Sequence, residues 1–316
     1  MPYVVVFKCP VIREGLNYSR GLEIQFIDLK GWRMMGPYDI MVAVILGIVE
    51  GITEWLPVSS TGHMILVNQF MSFSDQDFQE MFLVVVQLGA IMAVVIIFWS
   101  KLWPFNFTHR KRGESVVKTD IIILWLKIAV ASVPAAIVGL TLDDMIDEMF
   151  YNAFVVAGAL IIYGILFIIV ELWNKGRNPV IKTVTEIGFS SAIIIGIFQV
   201  LAAVVPGTSR SGATIIGALL LGIARSAAAE FTFYLAIPVM FGASLLKVLK
   251  HGLNFSMMEI ITLLVGMVVA FFVSLFAIKF LMGYIKKHDF KVFGVYRIIL
   301  GIAVLVYFFV TGAAVA

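Results

Sequence analysis

The sequence is poor in charged residues and holds a single cysteine. Only 14% of its 316 residues are charged and 61% are hydrophobic, whereas a soluble globular domain carries roughly a quarter charged residues. The mean hydropathy is +1.02. The lone Cys9 excludes an internal disulfide framework and a metal site built from several cysteines. Because Gly/Ser linkers, low-complexity tracts and long charge blocks are also absent, the sequence predicts one integral membrane domain.

Several apolar stretches are long enough to cross a bilayer, which takes about 20 mostly apolar residues. Five or six qualify, at about 80–100, 120–140, 151–173, 230–250, 259–282 and 293–312. Two further apolar regions, about 38–71 (the first hairpin) and 187–222 (the second hairpin), are interrupted by Gly, Pro and Ser/Thr clusters. Non-helical backbone at membrane depth is tolerated only inside protein or beside a wet cavity. The expected fold is therefore an all-α polytopic membrane protein with two re-entrant helix hairpins.

The loop charges predict how the chain is oriented in the membrane. Basic residues are concentrated in three loops, at 101–119, 174–186 and 283–292. Acidic residues mark the opposite side, at 75–80 and 143–148. The positive-inside rule then places both chain ends outside, so that the first hairpin enters from the outer face and the second from the inner face. Lys247 and Lys250 oppose this arrangement mildly, because they fall outside.

The first 33 residues do not fit this pattern. They carry five basic residues without a clear apolar span, and their apolar stretch at 4–7 is too short for a secretory signal. One hypothesis is that the native chain begins at Met34 or Met35; the alternative is a disordered or surface-lying tail. We therefore predict an N-terminal extension at 1–33 and a single membrane-embedded domain at 34–316.

The two hairpins resemble each other and predict an internal repeat. The interval from Glu50 to Pro57 equals that from Gln199 to Pro206. Three spans follow each hairpin, which gives repeat halves of about 38–173 and 187–312. Because the hairpins enter from opposite faces, we expect an inverted-topology repeat with its site at the midplane interface of the halves.

The first hairpin holds two carboxylates at membrane depth, where ionisable groups are costly and usually functional. Glu50 and Glu54 are four residues apart and share one helix face. Two carboxylates that face one cavity repel each other, so one should bind a proton or both should share a cation. Oxygen ligands alone suit Mg²⁺ or Ca²⁺ rather than zinc, so a divalent cation is the expected cofactor. The alternative is a pair of structural glutamates hydrogen-bonded to neighbouring hairpins.

A hydroxyl cluster and a histidine follow these carboxylates. Ser59, Ser60 or Thr61 could cap the next half-helix, whose amide donors form an anion site; capping alone is the alternative for any one hydroxyl. His63 lies three residues after Ser60, within reach across one helical turn. A hydroxyl beside an imidazole is the minimal activated nucleophile, and histidine itself can be phosphorylated. The alternative is a histidine with a purely structural role.

The second hairpin supplies a counter-charge. The guanidinium fork of Arg210 matches phosphate oxygens bidentately. Side-chain and backbone donors that could add to this grip belong to Thr208, Ser209, Ser211 and Gly212. The alternative is a structural bridge from Arg210 to Glu50 or Glu54. The two hairpins together hold what metal-assisted phosphoryl transfer needs.

Both hairpins resemble the signatures of the bacitracin-resistance family of undecaprenyl-diphosphate phosphatases. Residues 50–63 match the first signature, Glu-Gly-x-Thr-Glu-x-Leu-Pro-(Val/Ile)-Ser-Ser-(Thr/Ser)-Gly-His. Residues 206–214 match the second, Pro-Gly-x-Ser-Arg-Ser-Gly-Ala-Thr. The resemblance begins at about residue 38, continues to the C-terminus and does not cover 1–33.

The resemblance implies an enzyme of the bacterial inner membrane that hydrolyses the C55 lipid diphosphate to its monophosphate and phosphate. This reaction regenerates the carrier for peptidoglycan and confers tolerance to bacitracin. The resemblance also implies divalent-cation dependence. The family's functional positions correspond to Glu50, Glu54, Ser60, His63 and Arg210, with supporting roles for Thr61, Ser209 and Ser211. Whether Ser60 or His63 attacks the phosphorus stays open.

Alternatives remain open for the function, for Gln87 and for the oligomeric state. A lipid-phosphate transporter is the rival function, because inverted repeats with broken helices are common in transporters. A scaffold role would leave the buried polar cluster unexplained. Gln87 on the first full span could contact substrate, although helix packing through its amide fits equally well. The small-residue spacing from Gly47 to Gly51 allows a homodimer without establishing one.

Overall fold

The described part of the chain is almost entirely helical. The structure is a computed structural model that describes residues 4–5, 26–27, 35–106, 116–150 and 152–311, apart from the side chains at 4, 5, 26, 27, 143, 144, 147 and 148. The first half holds α1 (Pro37–Thr53), α2 (Ser60–Asn68), α3 (Gln76–Val85), α4 (Gln87–Ile97), α5 (Trp99–Leu102), α6 (Thr119–Phe150) and α7 (Ala153–Trp173). The second half holds a short 3-10 helix (Val184–Glu186), α8 (Phe189–Val204), α9 (Arg210–Leu220), α10 (Arg225–His251), α11 (Met257–Tyr284) and α12 (Lys291–Thr311).

Most of the predicted N-terminal extension lies outside the described residues. Two short strands within it, β1 (Val4–Val5) and β2 (Phe26–Ile27), pair in antiparallel fashion. The hypothesis that the native chain begins later stays a prediction.

The predicted spans are confirmed. Within the described residues, six helical segments have the length and hydropathy to cross a membrane, at Gln76–Ile97, Thr119–Leu142, Ala153–Trp173, Arg225–His251, Met257–Tyr284 and Lys291–Thr311. The first of them consists of α3 and α4, which meet at Val86. Large apolar side chains cover the outside of these segments, such as Phe276 at 75% and Phe309 at 83% exposure. A surface of this kind suits lipid rather than water, so the chain is a multi-pass membrane protein.

The two interrupted regions form helix pairs, as predicted. α1 and α2 have 17 and 9 residues, and α8 and α9 have 16 and 11. Each is shorter than the roughly 20 residues that a spanning helix needs. The chain breaks between the two helices of each pair, so that the second helix of each pair begins inside the protein at a serine cap.

The packing of the two halves follows a pseudo-two-fold pattern. α1 of the first half packs on α11 of the second, and α8 of the second half packs on α6 of the first. Both contacts are too close to admit a side chain: a Cβ on Gly47 would lie 2.7 Å from the Gly266 carbonyl oxygen, and one on Gly196 would lie 2.3 Å from that of Ala131. An odd number of spans per half inverts one half relative to the other, as the repeat predicted.

The glycine spacing of α1 serves packing inside the chain. A Cβ on Gly51 would lie 2.8 Å from the Ala270 carbonyl oxygen, one turn along from the contact of Gly47. This spacing therefore brings α1 close to α11 and needs no second copy of the protein. The homodimer stays a prediction.

Replacing Gly196 by alanine should destabilise the fold, because the added methyl meets backbone that side-chain rotation cannot move. Overpacking of this kind costs about 1–3 kcal/mol, which lowers the melting temperature by several degrees. Thermal unfolding of the purified protein in detergent measures the effect. Gly158→Ala in α7 is the matched control, because a Cβ there meets nothing within 4 Å. Equal melting temperatures for the two variants would contradict the close contact of α8 with α6.

Candidate active site

The second helix of each pair begins at a serine with an unusual backbone conformation. Ser59 (φ 74°) caps α2 and its Oγ accepts a hydrogen bond from Gly62 N at 3.4 Å. Ser209 (φ 70°) caps α9 and its Oγ accepts from Gly212 N at 3.2 Å. Non-glycine residues rarely adopt positive φ, and such strain is concentrated at functional sites. The two caps occupy equivalent positions of the repeat and fix how both helix N-termini enter the site.

An ion pair joins the two hairpins. Arg210 Nη2 lies 2.8 Å from Glu54 Oε1, and Arg210 Nη1 donates to the Thr232 carbonyl at 2.9 Å. The side chains of Arg210 and Glu54 are 12% and 7% exposed. Because a buried charge without its partner is strongly unfavourable, this pair ties the first turn of α9 to the end of α1. The structural bridge considered for Arg210 is therefore present, with Glu54 as the partner.

Glu54 also binds the neighbouring hydroxyls. Ser60 Oγ donates to Glu54 Oε2 at 2.9 Å. Ser211 Oγ donates to the Glu54 carbonyl at 3.1 Å and lies 3.2 Å from Ser209 Oγ. The carboxylate of Glu54 thus contacts both Ser60, the candidate nucleophile, and Arg210, the candidate phosphate clamp.

His63 makes no hydrogen bond to Ser60 among the described residues. Its Nδ1 lies 2.7 Å from the Ser59 carbonyl oxygen, and its Nε2 lies 2.7 Å from the Tyr296 hydroxyl of α12. The two residues share one turn of α2, as their spacing indicated. In the structure, however, the Ser60 hydroxyl binds the Glu54 carboxylate and the imidazole binds Tyr296.

Glu50 is the candidate ligand for a cation. Its side chain is buried one turn before Glu54, and its Oε1 has no hydrogen-bond partner among the described residues. Gln199, the equivalent residue in the repeat, is buried with both amide atoms equally unpartnered. Buried polar atoms normally have partners, so these atoms indicate room for water, a proton or an ion.

The donor set fits a cation that is shared with substrate. Among the described residues, no group of three or more His, Cys, Asp or Glu side chains could hold a metal alone. Mg²⁺ usually takes one or two carboxylates and completes its shell with water and phosphate oxygens. Glu50 has a free oxygen for that role, whereas both oxygens of Glu54 already bind Ser60 and Arg210.

Arg297 on α12, which was not among the predicted site residues, holds the two loops together. Its side chain is fully buried. Nη2 donates to the carbonyls of Gly207 and Thr208 at 2.9 and 2.8 Å, and Nη1 donates to the Pro57 carbonyl at 3.4 Å. A lone charge in the middle of an apolar span was the signal that could have identified it.

The remaining predicted residues are partly or fully buried. Thr61 is half-buried in the first turn of α2, and Thr208 is buried just before the cap of α9. Gln87 is half-buried at the start of α4. Substrate contacts of these residues stay predictions.

Comparisons with known proteins agree on one family. The family model described as Bacitracin resistance protein BacA matches residues 43–303. The chain is 60% identical over 272 residues to an undecaprenyl-diphosphatase of Acetivibrio thermocellus, and this alignment covers 85% of this chain and 98% of that relative. It is 59% identical over 275 residues to one from Desulfitobacterium hafniense (87% and 98% covered) and 57% identical over 268 residues to one from Enterococcus faecalis (84% and 96% covered).

Proposed function

From the premise that this chain belongs to the bacitracin resistance protein BacA family, we propose that it hydrolyses undecaprenyl diphosphate to undecaprenyl phosphate and phosphate. The reaction recycles the lipid carrier of peptidoglycan synthesis and confers resistance to bacitracin. The observation that carries the proposal is the contact of Glu54 with both Ser60 and Arg210, which combines a nucleophile and an anion clamp in one buried site.

Arg210 and the two helix N-termini bind the diphosphate. Amide donors at the starts of α2 and α9 favour an anion between them, and the guanidinium fork adds two directed hydrogen bonds. Glu54 neutralises Arg210 until substrate arrives, and the phosphate then takes its place on the guanidinium. The apolar tail of the substrate stays in the bilayer.

Ser60 is the nucleophile. Its hydroxyl already donates to Glu54 Oε2, so this carboxylate accepts the proton as Ser60 Oγ bonds to the terminal phosphorus. The bond from that phosphorus to the bridging oxygen breaks, and undecaprenyl phosphate leaves. Water then hydrolyses the phosphoserine and releases phosphate. Attack by His63 is less favourable, because both of its ring nitrogens are occupied by Ser59 and Tyr296.

A divalent cation, Mg²⁺ or Ca²⁺, completes the proposed site. It would neutralise part of the charge on the diphosphate. Glu50 would be one ligand, and Glu54 would become a second ligand once substrate has displaced it from Arg210. Arg210 supplies the remaining positive charge, and the buried position of Glu50 keeps bulk water from that side of the site.

The site opens to the outer face in this proposal. The loops at 101–119, 174–186 and 283–292 carry the basic residues that stay inside by the charge rule. The first hairpin then re-enters from outside and the second from inside, with their tips meeting near the midplane.

Single cysteines introduced into a cysteine-free background should report this orientation in intact cells. A cysteine at exposed Gln76 should react with a membrane-impermeant maleimide, and one at exposed Lys175 should react only after lysis. The opposite labelling pattern would contradict the orientation without affecting the proposed chemistry.

Ser60→Ala and Glu54→Gln should each lower hydrolysis by about 10²–10⁴-fold, because one lacks the attacking oxygen and the other the proton acceptor. Phosphate release from undecaprenyl diphosphate by the purified protein in detergent measures this. A chelator in excess should also abolish release, and added Mg²⁺ or Ca²⁺ should restore it.

Ser132→Ala is the matched control for these variants. It removes a buried hydroxyl that, among the described residues, bonds its own helix at the Ile128 carbonyl, and it should keep near-normal activity. Activity that survives Glu54→Gln would reject the assigned proton acceptor, and full activity in excess chelator would reject the cation. A wild-type protein that binds the lipid without releasing phosphate would favour the transporter alternative.

A further inference from the structure

The imidazole of His63 is held at both nitrogens. Nδ1 lies 2.7 Å from the Ser59 carbonyl oxygen, which can only accept a hydrogen bond, so Nδ1 carries a proton. Nε2 lies 2.7 Å from the Tyr296 hydroxyl. The tautomer of a histidine is set by the bond its other nitrogen makes, and here both bonds are specified.

Neither partner supplies negative charge to the ring. The ring is half-buried, and its partners, a backbone carbonyl and a phenol, offer no charge that would favour an imidazolium. The neutral ring therefore presents a lone pair at Nε2, and the Tyr296 hydroxyl donates to it. The two ring planes lie within 7° of parallel, with centroids 5.6 Å apart, which holds the hydroxyl against the edge of the imidazole.

Tyr296 comes from the same part of α12 as Arg297. Arg297 binds the carbonyls of Pro57, Gly207 and Thr208 and so fixes both loops relative to this helix. Because Tyr296 is adjacent to Arg297, its bond to Nε2 fixes the imidazole relative to the same helix. Helix α12 thus positions the hairpin backbones through one residue and the His63 side chain through its neighbour.

We propose that Tyr296 is a positioning residue that holds the His63 imidazole neutral, protonated at Nδ1 and hydrogen-bonded to α12 rather than to Ser60. This inference rests on the proposed hydrolysis. In the resting enzyme the bond between Tyr296 and His63 leaves Glu54 as the proton acceptor for Ser60. His63 then acts in a step after substrate has bound.

Tyr296→Phe tests the proposal, because it keeps the ring and removes only the hydroxyl. We expect kcat for undecaprenyl diphosphate to fall about tenfold, because the imidazole is then no longer held in place for the step that follows substrate binding. KM should change less than twofold, since Arg210 and the helix amides still bind the diphosphate. Tyr307→Phe is the matched control on the same helix. Its ring packs on Phe70 and Phe308, and both kinetic constants should stay unchanged. Unchanged kcat in Tyr296→Phe would overturn the proposal.

Nitrogen-15 NMR of histidine-labelled protein gives a second readout that does not depend on activity. The chain has four histidines, so the His63 signals are assigned by their loss in His63→Gln. We expect a neutral Nδ1–H tautomer in the wild type and a shifted Nε2 resonance in Tyr296→Phe. An Nε2–H tautomer or an imidazolium in the wild type would overturn the proposal, even if Tyr296→Phe did not fold.

The two measurements separate this inference from the proposed function. Wild-type and Tyr307→Phe proteins that fold but release no phosphate would reject the hydrolysis, and the NMR spectrum would still decide the tautomer. Active wild-type protein with the wrong tautomer would reject only the role of Tyr296.

Discussion

The site depends on the buried ion pair between Glu54 and Arg210. The two residues belong to different halves of the chain. Each lies in a hairpin where Gly and Pro interrupt the helix. Taking both charges out of water is costly, so a buried pair is weak evidence for stability. Its value here is positional: it brings the hydroxyl of Ser60 and the guanidinium of Arg210 to one carboxylate. Removing either partner leaves an uncompensated charge next to the other hairpin.

The repeat explains how two similar backbones supply different chemistry. Ser59 and Ser209 have nearly the same backbone φ and make the same capping bond, so the residues that follow them are equivalent. Ser60 in one half is therefore matched by Arg210 in the other. In α1, Glu50 is matched by Gln199 of α8, which keeps the polar position and loses the charge. The residue proposed as nucleophile and the residue proposed as clamp thus occupy equivalent positions of the repeat.

Hydropathy and motif spacing predicted most of the fold. The six spans, the two broken regions and the repeat follow from apolar length and from Gly, Pro and Ser/Thr interruptions, which are local properties of the chain. A bridge from Arg210 to Glu50 or Glu54 was the alternative considered for this arginine, and the structure forms it with Glu54. Spacing alone suggested that Ser60 faces His63, whereas the structure pairs Ser60 with Glu54. The contributions of Arg297 and Tyr296 were not predicted, because they come from a helix over 230 residues away from the first hairpin and belong to no local motif.

A double-mutant cycle on thermal stability tests most directly whether the Glu54–Arg210 pair joins the hairpins. Glu54→Gln, Arg210→Gln and the double variant would be unfolded in detergent under the same conditions. Residues in one buried pair typically show interaction energies of about 0.5–3 kcal/mol. We expect each single variant to lose stability. The double variant should lose clearly less than the sum of the two single losses, because no charge is then left without its partner. Strictly additive losses would show that the two side chains act independently, which would contradict the central role given to the pair.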